Sequence, residues 1–346
     1  MRLFLIIFYF FQIFIKCYDS FKKNLIIGAI KNYTWATIEP FFISFKKANF
    51  KKCDCVIFVL DINKDTLEKL KSLGIIIKEF PEKYKGMKIN NVRYKLYEEY
   101  LSDKLYKYNM VLHADVRDTF FQKDLFQLYD NKNKFLGFSL EEGNLNQSVN
   151  AEWMKNQYGD KIYEQIKNEK IICSGVIWGT VDKFYEFVKN IWEQIELKSP
   201  YKYSIHDQTA TNYLIYYKKM FNDCIITNDI YNGSVMTIGL AKDMNFYFDS
   251  SENLLNFNDK IKASAIHQYD RVPKIISIIK KKFVIQKEVN FNITTVSDEI
   301  KIKGKNKRKI FVSKNSFIFL IISLLFILFV KKNLKFLVLY KINDKN

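Results

Sequence analysis

The run NMVLHADVRDTFFQKDLF, residues 109–126, passes from an apolar, strand-like stretch into two carboxylates, Asp115 and Asp118. Between them stands Arg117, and two residues ahead stands His113, in a chain that holds only 3 histidines. The segments before it set the context. NLIIGAI (24–30), CDCVIFVLD (53–61), IIIKEF (75–80) and NMVLHAD (109–115) are short apolar runs suited to buried strands. Between them lie helical patterns: TWATIEPFFISFKKA (34–48), KDTLEKLKSLG (64–74) and NNVRYKLYEEYLSDKL (90–105), the last placing Val92, Leu96 and Tyr100 on one stripe. Asp65 is a plausible N-cap for the second helix and Gly74 its C-terminal stop. This rhythm predicts an α/β fold with a mostly parallel sheet and helices on both faces. Ligands in such sheets bind outside the carboxyl ends of the strands, where Asp115 and Asp118 fall.

A D-x-R-D sequence at that place offers two carboxylates to a hard divalent cation, which takes few protein oxygens and completes its shell from phosphates. Arg117 can pair with these carboxylates or reach a phosphate. The ordinary account is a loop salt bridge, or a helix cap with Asp118 at the start of TFFQKDLF. Three later stretches belong with this one. IICSGVIWGT (171–180) is an apolar strand that opens at Ser174-Gly175, where a missing side chain allows close approach, or simply a bulge. SIHDQTATNYLIY (204–216) sets His206, Asp207 and Gln208 at the start of a helix, where capping explains Asp207 but not the polar cluster. ASAIHQYDR (263–271) ends a short strand with His267, Gln268, Asp270 and Arg271; taken alone, His267 is a satisfied core histidine.

Composition is a weaker guide. The 346 residues carry 55 Lys and Arg against 37 Asp and Glu, a formal charge of +18. The excess is lysine, in a chain rich in Ile, Asn, Phe and Tyr and poor in Gly and Pro, as an A/T-biased coding sequence would give. Nucleic-acid binding usually shows a concentrated basic patch with stacking aromatics, and no recognised module is present, so nucleic acid is not expected as a partner. The arginines are confined to Arg2, Arg93, Arg117, Arg271 and Arg308 and the histidines to His113, His206 and His267, so their clustering in these stretches is informative.

Taken in order, YTWATIEPFFISF, VRYKLYEEYL, HADVRDTFFQKDLF, SGVIWGT, HDQTATNYLIY and IHQYDR resemble the A-type (GT-A) nucleotide-sugar glycosyltransferases, over residues 24–275. More narrowly, they are similar to eukaryotic transferases with a D-x-R-D-x-x-F-Q-x-D-x-F signature, related at fold level to the glycogenin-like and lipopolysaccharide-galactosyltransferase group. The resemblance implies a Rossmann-like GT-A fold and a metal site of Asp115, Asp118 and His267 for Mn²⁺ or Mg²⁺, although the family's usual element has one residue between its carboxylates and this chain has two. It implies that Arg93 meets the donor diphosphate, that Gly175 lies beneath the sugar, and that Asp207 and Gln208 stand near the sugar and acceptor. Asp115 and Arg117 then also line the nucleotide-sugar site, and Arg271 is a phosphate contact because a guanidinium fits phosphate bidentately. The donor implied is a UDP-linked hexose, the acceptor a glycan, protein or lipid, and the outcome retention, as in the glycogenin-like group; if transfer inverts, Asp207 is the candidate base. Two other classes differ in what they need. A catalytically inactive scaffold would hold Asp115, Asp118 and His267 too far apart to share an ion. A two-metal phosphodiester hydrolase would need more His and Asp than these motifs supply.

The two ends read as membrane signals. Leu3–Ile15, LFLIIFYFFQIFI, suits the apolar region of a signal peptide or signal anchor within residues 1–17, with 18–23 as a linker. Ser316–Val330, SFIFLIISLLFILFV, lies between basic flanks and reads as a short transmembrane helix. A basic stalk (276–315) would precede it and a basic tail (331–346) follow. The expected location is an endomembrane or the cell surface, with the catalytic residues lumenal or extracellular. Sequons at Asn32, Asn146, Asn232 and Asn292 permit a glycoprotein. Beyond Cys17, the cysteines Cys53, Cys55, Cys173 and Cys224 are compatible with two disulfides, though Cys53 and Cys55 share a strand face and do not suit each other.

Overall fold

The computed structural model describes residues 22–130, 133–147, 149–197 and 207–283. The expected signal segment, transmembrane helix and basic tail lie outside these residues, as do Cys17, His206 and Asn292. Among the described residues no helix is long and apolar enough to cross a membrane.

The expected α/β alternation is present. Strands β1 (Lys23–Lys31), β2 (Cys53–Leu60), β3 (Ile76–Glu79) and β4 (Tyr108–Ala114) alternate with helices α1 (Trp35–Ala48), α2 (Lys64–Ser72) and α3 (Ile89–Leu101). After β4 come β5 (Thr119–Phe121), β6 (Leu136–Asn144), α4 (Val149–Tyr158), α5 (Asp160–Ile166), β7 (Lys170–Thr180), α6 (Val181–Leu197) and α7 (Asp207–Asn212). The last part holds β8 (Ile225–Asn228), β9 (Val235–Thr237), the β10 (Tyr247–Phe248) and β11 (Leu254–Leu255) hairpin, β12 (Ala265–His267) and α8 (Pro273–Phe283).

Seven strands form the main sheet in the order β3-β2-β1-β4-β7-β6-β8. All pairs are parallel except the two made by β7, which runs antiparallel to both β4 and β6. Its reversed course brings the middle of β7, with Ser174 and Gly175, to the edge where β4 ends. A small sheet, β5-β12-β9, stands beside the main one, with β12 antiparallel to β5 and parallel to β9.

Side-chain alternation divides the core. In β1, Leu25 and Ile27 face one layer and Ile26 and Ile30 the other; in β2, Val56, Phe58 and Leu60 oppose Cys55, Ile57 and Val59. The first layer is closed by α3 and α6 through Val92, Leu96, Tyr97, Phe184 and Phe187. The second is closed by α1 and α2 through Phe41, Phe42, Phe45 and Leu70. Strands buried on both faces carry continuous apolar runs, which is why these read so clearly in the sequence.

Four expectations are corrected. The N-cap of α2 is Asn63, whose Oδ1 accepts the Thr66 N–H at 2.8 Å, while Asp65 lies in the first turn and pairs with Lys69 at 2.9 Å. Asn63 reaches the orphan N–H from outside the helix, and Asp65 complements the macrodipole instead. TFFQKDLF does not begin a helix: Thr119–Phe121 is β5, with its backbone paired to β12. All four described cysteines are free thiols. Finally, α8 runs across the expected domain boundary at residue 275 and buries Ile275, Ile279 and Phe283 in a third apolar cluster with Phe120, Met236 and Ile266.

Candidate active site

The site forms where the carboxyl end of β4, the middle of β7 and the end of β12 meet. Asp115 follows β4 directly, and its backbone N–H donates to Gly175 O at 2.7 Å. Asp118 precedes β5, which pairs Thr119 with His267 of β12 and so fixes the loop against the small sheet. The structure thereby brings Asp115, Asp118 and His267 together, with one ligand atom from each lying within 4.8 Å of the others. His267 Nε2 is 3.6 Å from Asp115 Oδ2 and 3.5 Å from Asp118 Oδ1. A Cβ on Gly175 would lie 2.2 Å from the His267 ring and 2.8 Å from Asp115 Oδ2. The bare backbone at Gly175 is what lets these two side chains converge.

Arg93 supports this arrangement from behind. It is buried on α3, one guanidinium nitrogen paired with Asp115 Oδ1 and the other 2.5 Å from Asp207 Oδ2 and 3.3 Å from Ser174 O. Tyr94 O–H also donates to Asp207 at 3.1 Å. Arg93 was expected to meet a diphosphate, but its two terminal nitrogens are engaged by carboxylates in the interior. Asp207, at the start of α7, is correspondingly enclosed, while the neighbouring Gln208 donates to Asn150 Oδ1 at 3.0 Å.

Arg117 lies at the rim, half exposed, 3.1 Å from Asp118 Oδ2 and 3.4 Å from Asp270 Oδ2. Arg271 is exposed beside Gly239, where any side chain would strike it. The expected loop salt bridge is therefore real, and it coexists with the acidic cluster because Asp118 uses one oxygen for each.

Electrostatics follow this layout. Burial would raise the pKa of Asp115, but the Arg93 guanidinium and His267 hold it well below the ordinary carboxylate range. Asp118 is likewise lowered against its burial, chiefly by His267. Burial opposes charge on His267, yet Cys173, Asp118 and Asp115 push its pKa well above the usual histidine value. The cluster thus attracts positive charge. Asp118 Oδ1 and His267 Nε2 are buried without a hydrogen-bond partner, and such orphaned atoms call for a group that meets them. Two carboxylates and one imidazole suit Mn²⁺ or Mg²⁺, with the nitrogen favouring Mn²⁺. The acid–acid–histidine cluster implied by the resemblance is present.

Two neighbours, Tyr33 and Glu141, were not singled out in the sequence, and a third, His113, was. Tyr33 has a pKa raised by burial and feels Arg117, Asp115 and Asp118; its place just after β1, on the sheet edge where β4 also ends, was the available signal. His113 is buried behind Asp115 and pushed down to about 3 by burial and Arg93, with the Tyr97 hydroxyl 3.2 Å from its Nδ1. Glu141, at the end of β6, accepts from Gln268 Nε2 at 3.3 Å.

No protein-family model matches the sequence, and no curated protein is significantly similar to it. Among solved structures, the chain is similar to an active-site mutant of LgtC at 18% identity and a TM-score of 0.45, covering 70% of this chain and 86% of that one. It is also similar to galactosyltransferase LgtC in complex with donor and acceptor sugar analogs, at 16% identity and a TM-score of 0.43, with the same coverage of both chains. Likenesses of this degree do not bear on activity.

Proposed function

We propose that this chain is a metal-dependent glycosyltransferase that moves a hexose from a UDP-linked donor to a hydroxyl of a glycan, protein or lipid. The observation that carries this reading is the convergence of Asp115, Asp118 and His267 at the carboxyl end of β4, with one oxygen and one nitrogen buried and unpartnered. These residues would hold Mn²⁺ or Mg²⁺, which as a Lewis acid would neutralise the departing nucleoside diphosphate. Arg117, half exposed against Asp118, is placed to take further phosphate charge, and Arg271, exposed four residues after His267, would share it. Gly175 leaves the room in which His267 and Asp115 converge, and the Gln208 amide is held by Asn150.

Arg93 acts on Asp115 and Asp207 rather than on the donor. Its double ion pair fixes both carboxylates before substrate arrives, so little reorganisation remains at the reacting centre. Arg93 and the Tyr94 hydroxyl both engage Asp207 Oδ2, which holds this buried carboxylate in place. Retention is proposed from the resemblance alone. The apolar runs at Leu3–Ile15 and Ser316–Val330 support an endomembrane or cell-surface location, with the site lumenal or extracellular.

The test is release of free nucleotide from a panel of nucleotide sugars with Mn²⁺, beside Asp118→Ala. Release from one donor that disappears in the variant and in EDTA supports transfer and names the sugar. Turnover that persists in Asp118→Ala removes the proposed site.

A further inference from the structure

His267 meets the carboxylates through Nε2, while its other ring nitrogen faces a second buried polar group. Nδ1 is 3.4 Å from Thr237 Oγ1 and 3.4 Å from Cys173 Sγ. Thr237 is fully buried at the end of β9, in register with His267 on β12. Its hydroxyl donates to Ser139 Oγ on β6 at 2.8 Å. A hydroxyl has one proton, so toward His267 Thr237 has only a lone pair to offer. Cys173 Sγ receives the Gly175 backbone N–H at 3.5 Å and keeps its own S–H, so it is compatible with either tautomer. The Thr237 lone pair is what favours the tautomer that carries its proton on Nδ1. That tautomer leaves the Nε2 lone pair directed between Asp115 and Asp118.

We propose that Thr237, itself oriented by Ser139, is a positioning residue that fixes His267 as the Nδ1–H tautomer and thereby makes Nε2 the third ligand of a divalent cation beside Asp115 and Asp118. The inference rests on reading the cluster as a cation site. Thr237 touches neither the cation nor the substrate; it acts through the imidazole. An imidazole with the opposite tautomer would direct a proton into the place the cation must take.

The experiment is Mn²⁺ titration of the full-length chain, followed by the electron paramagnetic resonance signal of free Mn²⁺, for wild type, Thr237→Val and Thr237→Ser. Valine keeps the shape and removes the acceptor, so Mn²⁺ affinity should fall by about 10–100-fold, the usual effect of removing an outer partner of a metal-bound histidine. Serine restores the acceptor and should restore wild-type affinity. Ser139→Ala, which frees the Thr237 proton to turn toward Nδ1, should weaken Mn²⁺ in the same direction and serves if the valine variant does not fold. Wild-type affinity in Thr237→Val, or equal weakness in the serine and valine variants, overturns the role of the hydroxyl while leaving the cation site in place. Failure of the wild type itself to bind Mn²⁺ overturns the site, and the inference with it.

Discussion

Gly175 and Arg93 carry most of what can be tested at the level of single residues. Replacing Gly175 by alanine puts a methyl into the contact between His267 and Asp115. The expected result is loss of Mn²⁺ binding with a stability cost of about 1–3 kcal/mol, measured by Mn²⁺ titration and by chemical denaturation. Unchanged Mn²⁺ affinity in Gly175→Ala would mean that His267 and Asp115 do not share an ion. Arg93→Met removes one cation from between two carboxylates, Asp115 and Asp207. Breaking a buried pair by removing one partner costs about 3–5 kcal/mol, so this variant should be among the most destabilised, and a denaturation midpoint near wild type would contradict the bridge. Asp115, Asp118 and His267 were legible in the sequence because charged residues, one of them among only 3 histidines, fell at the ends of apolar runs. Thr237 and Tyr33 were not, since nothing in their own neighbourhoods distinguishes them; only the pairing of β9 with β12 and the end of β1 gives them meaning.

Strands β1, β2 and β4 could be read from sequence because they are buried on both faces and bounded by helical patterns. The reversal of β7 could not, since an apolar run does not reveal its direction. Strands β8, β9, β11 and β12 are 2 to 4 residues long and exist through their partners, too short to show a period. β5 was open to reading as a helix start for the same reason: its three residues are strand only because β12 lies beside them. At the opposite edge of the sheet from the site, Asp54 of β2 ties three strands together, pairing with Lys23 of β1 at 2.8 Å and Lys107 before β4 at 2.7 Å and accepting from the Tyr108 hydroxyl at 3.2 Å. Burial would raise its pKa, but the two lysines lower it. A depressed carboxyl pKa contributes stability that is present above the unfolded value of about 3.9 and is lost as pH falls through the lower folded value. Asp54→Asn should therefore be less stable than wild type at pH 7, by about 1 kcal/mol given the partial exposure of both lysines. Denaturant melts should show that difference shrinking toward zero as the pH drops below 3.9. A gap that stays constant with pH would assign the effect to packing.

On the scale of the whole chain, the folded unit extends to Phe283 rather than stopping at residue 275. Helix α8 contributes Ile275, Ile279 and Phe283 to the cluster that backs β12, the strand carrying His267. A chain ending at residue 275 should lose about 1.5–3 kcal/mol for each large apolar side chain removed, and Mn²⁺ binding should weaken with it. A chain ending at 283 should keep both; equal melting temperatures for the two would contradict the packing role of α8. The central claim is that the carboxyl edge of this sheet holds a cation which in turn recruits a nucleoside diphosphate. Calorimetric titration of UDP into the full-length chain, with Mn²⁺ and then with EDTA, tests it most directly beside Asp118→Ala. The account predicts binding with Mn²⁺ that is abolished by EDTA and by the variant; UDP binding of equal strength in all three conditions, or in none, would contradict it.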